Sequence, residues 1–322
     1  MPSFPKSVSI NEEGPREGFQ FEKTPIPTAR KIELIDALSK TGLKSIKIAS
    51  FVHPKLVPGM ADSEDVVAGI TPQDGVSYHG MWFNERGLER ALSTKRLSKT
   101  AGITLCASDA FLKRNKNRTL DEDIAIHHKL ISQYLQHDID INGAAVSSAF
   151  GCNFQGPVEL PHVLKLVQKA LDIAAEHDLD IKNISLYDTM AWASPKQIQS
   201  TVGAVQDKYP DHALSLHLHN TRGMGIANAF AALEMGVENF DSSVGGLGGC
   251  PFAAHHGAAG NVCTEDLVFM CEEMGISTGI DLEAMIECAH LAEDIVGHPL
   301  PGATMKSGGL TMLREKTKSA AE

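Results

Sequence analysis

Runs of continuously apolar or small residues alternate with longer amphipathic stretches along nearly the whole chain. This is the pattern of βα units, in which parallel strands are covered on both faces and so carry no polar side. The spacing predicts about eight strands, at residues 7–11, 45–51, 76–82, 103–107, 141–147, 184–188, 214–219 and 240–244. Between them, residues 28–41 place Ile32, Leu34, Ile35 and Leu38 at helical spacing, with Gly42 standing where a helix stop belongs. Residues 163–176 and 226–235 repeat the design, the second closed by Gly236. Eight strand–helix units in one chain favour a closed (β/α)8 TIM barrel of the α/β class over an open sheet. No GxGxxG follows the first strand, which disfavours a dinucleotide fold. Residues 281–296 are one helix more than a barrel needs. The chain is therefore read as a barrel domain at 1–279, with a C-terminal helical extension at 280–322 packed on or flanking it.

Composition narrows the possible functions. The 322 residues are 43% hydrophobic and 21% charged, which suits an ordinary globular protein. A formal charge of −11, from 29 Lys+Arg against 40 Asp+Glu, offers no bulk attraction to nucleic acid or anionic lipid. Neither partner is expected. The six cysteines form no CxxC pair and no dense framework, so reduced thiols in a cytoplasm are expected rather than a disulfide scaffold. No apolar run approaches membrane-spanning length, and Met1 to Lys6 lacks the apolar stretch of a signal peptide.

In a barrel of this kind the chemistry sits on loops that follow the strands. After the first strand, the segment from Glu12 to Gln20 carries Arg16 and three carboxylates, Glu12, Glu13 and Glu17, although a surface turn would explain Glu12 and Glu13 equally well. The seventh strand ends in His217-Leu218-His219-Asn220. Side chains at i and i+2 share one side of a strand, which suits two imidazoles on one metal or two structural histidines. Beyond the eighth strand, four glycines surround Cys250, and Gly260-Asn261 follow. Such a loop can carry a thiol over a pocket or bury an inert one. Asp188 ends the sixth strand and reads as a helix N-cap or as a base.

Together these residues resemble the HMG-CoA lyase family of metal-dependent TIM-barrel lyases, over residues 7–279. The most specific stretch runs from Asp241 through Val244-Gly245-Gly246-Leu247-Gly248-Gly249-Cys250-Pro251-Phe252 to Ala253, with Gly260-Asn261 and Thr264 to Leu267 behind it. Supporting stretches are Ser50 to Lys55, Ser108 to Phe111 and Ala149 to Cys152. The resemblance implies a retro-Claisen cleavage of a 3-hydroxy acyl-CoA, HMG-CoA or a related 3-hydroxy acid. It places Glu17, His217, His219 and Asn261 as ligands of a divalent cation, Mg2+ or Mn2+. It places Arg16, Asp188, His217 and Cys250 in catalysis, with Asp188 as the base and Cys250 as the loop thiol. Gln20, Lys47, Lys113 and Arg114 fall at the substrate, the last two in a basic stretch where the family approaches coenzyme A. A homodimer is implied as well.

Several positions depart from the family pattern. Its Arg-Asp-Gly is Arg16-Glu17-Gly18 here, and Lys47 stands where members carry a Glu. Asn220 ends what is an HxHD in many relatives, and Ser148 and Asn153 replace a Cys and a Pro. The loop from Cys250 to Asn261 is longer than usual and contains His255 and His256. Three readings therefore stand: a divergent lyase in which Lys47 binds a substrate group, an ordinary HMG-CoA lyase, and a metal-free binding protein or Schiff-base-type enzyme in which a Lys47–Glu17 pair replaces the cation. A Claisen-condensing relative shares the barrel and the HxH but not the Cys loop.

Overall fold

The computed structural model describes residues 4–248, 260–311 and 313–314. Eight parallel strands form the barrel: β1 (Ser9–Glu12), β2 (Ser45–Ser50), β3 (Ser77–Met81), β4 (Thr100–Cys106), β5 (Asp140–Ser147), β6 (Asn183–Asp188), β7 (Ala213–Leu218) and β8 (Asn239–Ser242). Their order is β3-β2-β1-β8-β7-β6-β5-β4, which leaves β3 and β4 as the two ends of the sheet. The seam between them is spanned by Ser98 N–H donating to Tyr78 O at 2.7 Å and by His79 Nδ1 beside Thr100 Oγ1 at 3.1 Å. The TIM barrel expected from the alternation of apolar and amphipathic runs is the observed fold.

The outer layer consists of α1 (Thr28–Leu38), α2 (Ser63–Gly69), α3 (Glu85–Ser93), α4 (Asp109–Lys116), α5 (Leu120–Gln136), α6 (Leu160–Ala175), α7 (Pro195–Lys208), α8 (Gly225–Glu234), α9 (Thr264–Glu273) and α10 (Leu282–Val296). Each buries one apolar stripe in the core, as Leu34, Ile35 and Leu38 of α1 do. Thr119 opens α5 and Ser194 opens α7 with a capping box, so the first amides of both helices are satisfied. Gly42, past the end of α1, has a φ of +99°, and a Cβ there would lie 2.2 Å from Gly279 O. A side chain at this position would push away the chain entering α10. The added helix α10 packs on α1, on α9 and on the short turn Val244–Gly246. Among the described residues no helix is long and apolar enough to cross a membrane.

The segment after β1 differs from a plain surface turn. Gly14–Gly18 forms one widened π turn with Pro15 near its start, and Glu12, Glu13 and Arg16 are all buried. Glu12 accepts from the amides of Gly14 at 2.7 Å and Val244 at 2.9 Å and from Thr264 Oγ1 at 2.6 Å, which ties β1 to the start of the loop after β8. Glu13 and Glu17 are thereby left free for the barrel mouth.

A candidate divalent-metal centre in the barrel mouth

Parallel pairing aligns Asn11 of β1, Asp241 of β8, His217 of β7 and Tyr187 of β6 at one level of the lumen. His217 Nδ1 lies 3.1 Å from Asp241 Oδ2, and Asn11 Nδ2 donates to the other Asp241 oxygen at 3.0 Å. A proton on Nδ1 leaves the Nε2 lone pair of His217 facing the mouth. There it meets His219 Nε2 at 3.0 Å and Glu17 Oε2 at 3.9 Å, while His219 Nε2 and Glu17 Oε1 are 3.3 Å apart. One ligand atom from each of Glu17, His217 and His219 lies within 4.8 Å of the other two.

The surroundings fit a divalent ion. Asn261, bridged to His219 along the backbone, has a buried Oδ1 with no hydrogen-bond partner among the described residues, while its Nδ2 donates to Leu247 O at 3.2 Å. A buried carbonyl oxygen left unpaired on the segment bridged to His219 is the kind of donor that a mixed oxygen and nitrogen ligand set uses. Gly248, at φ +101°, closes the wall here, for its Cβ would fall 2.7 Å from Asn261 Nδ2.

A chain of alternating charge runs away from these ligands. The Arg16 guanidinium contacts Glu17 Oε2 at 2.9 Å and also holds Glu13, and Lys47 Nζ holds the other Glu13 oxygen. Burial works against charge at Glu17, but Arg16 and the two histidines outweigh it and hold the carboxyl well below the usual carboxylate range. Burial also opposes the charge of Arg16, and Glu13 and Glu17 outweigh it and raise its pKa. At His217 the bond to Asp241 and the charge of Glu17 overcome burial and raise the pKa, whereas at His219 burial prevails and lowers it. Burial, with Lys47 second, lowers His79 to about 4 and keeps it neutral.

These groups line a cavity of about 620 Å3 that also includes Gln20, whose Oε1 is buried without a partner among the described residues. Arg16, Glu17, Gln20, Lys47, His217 and His219, all singled out in the sequence, are thus brought together. Lys47 is paired with Glu13 rather than Glu17, because Glu17 is already held by Arg16 and His219. That removes the premise of a Lys47–Glu17 pair standing in for the cation. Asp188 is not brought to the cavity. Its carboxylate accepts the amides of Trp192 at 2.7 Å and Ala193 at 3.1 Å, a cap on the turn ahead of α7, whose own N-cap is Ser194, so Asp188 is not the helix N-cap that the sequence offered as one reading. Strand parity explains this, since Ser185 and Tyr187 of β6 take the lumen side and Asp188 the helix side. Burial raises the Asp188 carboxyl to about 6.

Lys113 and Arg114 are exposed on α4, with Arg114 over the Phe154 ring at 4.3 Å. Their neighbours Lys116 and Arg118 turn inward onto the buried Asp123 at 2.8 and 3.0 Å. Cys250 lies outside the described residues, as do His255 and His256. The residues that the motif reading missed as site members are Glu13, Asp241, Asn11, His79 and Tyr187. For Asn11, His79, Tyr187 and Asp241 the signal was parity, polar residues at lumen-facing positions of strands, whereas Glu13 lies in the turn after β1.

The HMGL-like family model matches residues 7–292. The chain is 38% identical over 303 residues to hydroxymethylglutaryl-CoA lyase YngG of Bacillus subtilis, covering 94% of this chain and 98% of that one. It is 39% identical over 285 residues to the mitochondrial hydroxymethylglutaryl-CoA lyase of Bos taurus, covering 88% and 84%. A Bacillus subtilis HMG-CoA lyase structure superposes with a TM-score of 0.87 at 37% identity, covering 95% and 99% of the two chains. An Acinetobacter baumannii HMG-CoA lyase in complex with coenzyme A and 3-methylmalate superposes with a TM-score of 0.86 at 39% identity, covering 97% and 98%. The chain belongs to the HMGL-like family and is a carbon–carbon lyase of the HMG-CoA lyase type.

Proposed function

We propose that this enzyme cleaves HMG-CoA or a closely related 3-hydroxy acyl-CoA to an acetyl-CoA-type product and a short 3-oxo acid, using Mg2+ or Mn2+. The observation that carries the reading is the convergence of Glu17, His217 and His219 within one coordination sphere, with Arg16 fixed against Glu17. Glu17, His217, His219 and Asn261 would hold the ion, and a bound divalent ion would supply Lewis acidity toward the substrate hydroxyl. Asp241 keeps His217 in the tautomer that presents Nε2. In the cleavage the hydroxyl proton passes to water in the open mouth, the O–H electron pair becomes the new C3=O bond, the C2–C3 bond breaks, and its electron pair moves onto the thioester carbonyl as an enolate. The Arg16 guanidinium, pinned between two carboxylates, offers a fixed positive charge to that oxygen. A proton then returns to C2, a role this reading gives to the Cys250 thiol. Asp188, held by two backbone amides, is left out of the base role.

Lys113 and Arg114, exposed beside the mouth, take the phosphates of coenzyme A in this reading. A homodimer belongs to the same reading on the strength of the resemblance, and a cytoplasmic setting on the absence of a CxxC pair or dense cysteine framework in the sequence. The test is product analysis with HMG-CoA and a panel of 3-hydroxy acyl-CoAs carrying different C3 substituents, with Mg2+, Mn2+ or a chelator. Metal-dependent release of acetyl-CoA and the matching 3-oxo acid from at least one of them is expected. Failure of the whole panel in folded, metal-loaded protein would overturn the proposal.

A further inference from the structure

TIM-barrel lumens are packed with layers of branched apolar side chains. Here the lumen below the metal ligands is polar and open, and the cavity runs on past Asn11, Ser45, Thr100, Asn142, Asn183 and Ser215. Ser45 and Thr100 are the first residues of β2 and β4, and Asn183 the first of β6, so the cavity reaches the end of the barrel opposite the mouth. Gly102 and Asn142 in this lower stretch are exposed to solvent.

Gly102 of β4 and Gly143 of β5 stand side by side in the register. Gly143 has no positive φ, and a Cβ added to it would meet nothing within 4 Å. Neither backbone conformation nor packing requires a glycine there, although glycine weakens a strand interior. What its missing side chain leaves is space along the lumen. The wall of that space is amide, hydroxyl and small side chains, the Lys47 ammonium above is held by Glu13, and the Asp241 carboxylate is occupied by His217 and Asn11. Such a lining suits a small carboxylate and not an acyl-CoA.

We infer that the lumen is a second way into and out of the active centre, opening beside Gly102 and Asn142, and that it carries the short 3-oxo carboxylate while the coenzyme A thioester occupies the mouth. This rests on the proposed cleavage for the identity of the passenger. It provides release of the smaller product independent of the larger one, as a reaction with two unequal products can use.

The test measures exchange of acetoacetate between bulk and the Mg2+-loaded enzyme by NMR, with and without saturating coenzyme A. It compares wild type, Gly143→Ala, Gly143→Leu and, as a plug from another wall, Ser45→Leu, each checked for folding by circular dichroism. In wild type and Gly143→Ala, coenzyme A should change the dissociation rate by less than about twofold, whereas in a folded leucine variant it should slow it about tenfold or more. Without coenzyme A the four proteins should agree. Equal slowing by coenzyme A in wild type, no effect of either leucine, or no binding of acetoacetate to wild type would each overturn the inference. Exchange requires no turnover, so failure of HMG-CoA cleavage would strike the proposed reaction and leave this measurement decisive for the passage.

Discussion

Asp241 holds His217 from the side away from the ligand atoms, yet the tautomer of that imidazole depends on it. Asp241→Asn can present its amide instead of an acceptor to Nδ1, which places the ring proton on Nε2 and blocks coordination. The expected result is about a 10- to 100-fold weaker affinity for Mn2+, read by calorimetry on the metal-free protein. An unchanged affinity would remove Asp241 from the ligand set's support. Lys47 and Glu13 make a second residue-level case. Glu13 is buried while the Lys47 side chain is 30% exposed, and Arg16 holds Glu13 as well. Removing the lysine therefore leaves the carboxylate compensated by Arg16, whereas removing the carboxylate strands Lys47 and leaves Arg16 with Glu17 alone. Glu13→Gln should destabilise more than Lys47→Met, and the double variant should show coupling of about 1 kcal/mol in urea unfolding. Additive losses would mean that the pair does not act as a unit.

The elements that carry the site are held by two buried acids. Glu12 binds the loop after β8 through Val244 and Thr264, and Glu265 at the start of α9 accepts from Gly245 N at 3.0 Å. Burial raises Glu12 to about 7 and Glu265 to about 8, against an ordinary value of 4.5. Through these two groups the folded state holds more protons than the unfolded chain once pH exceeds about 4.5, so their contribution to stability falls as pH rises toward 8, while His79 and His127, held down to about 4 by burial, oppose it until about pH 6.5. The Tm of the metal-free protein should drop by several degrees between about pH 6.5 and 8, and Glu265→Gln should flatten that slope. A Tm that climbs over this window would contradict the assignment. These elements also show what periodicity can convey. The strands were legible because β5 and β7 are almost wholly apolar or small, and the HxH was legible because i and i+2 share a side. The π turn at Gly14–Gly18 and the direction of Asp188 were not. The turn depends on where the chain leaves β1, which a residue pattern does not encode, whereas Asp188 follows from the alternation with Ser185 and Tyr187 once the lumen side of β6 is known.

For the molecule as a whole, the open seam between β3 and β4 and the polar lumen set this barrel apart from a packed one. The apolar mass lies instead between the strands and the helices, where Leu34, Leu105, Leu186 and Leu216 are fully buried. The proposed ligand set, drawn from the β1 loop, the end of β7 and the segment at Asn261, should then couple ion binding to global stability. Saturating Mn2+ should raise the Tm of wild type, and the rise should vanish in His219→Ala. Equal shifts in both would place the ion elsewhere.

The most direct measurement is a titration of chelator-treated enzyme with Mn2+ in which bound ion and acetyl-CoA release from the best 3-hydroxy acyl-CoA are followed in the same samples. Binding and turnover should saturate together at about one ion per chain, and both should be lost in Glu17→Ala and His219→Ala. Turnover that persists without bound ion, or that survives loss of both side chains, would contradict the metal centre at Glu17, His217 and His219.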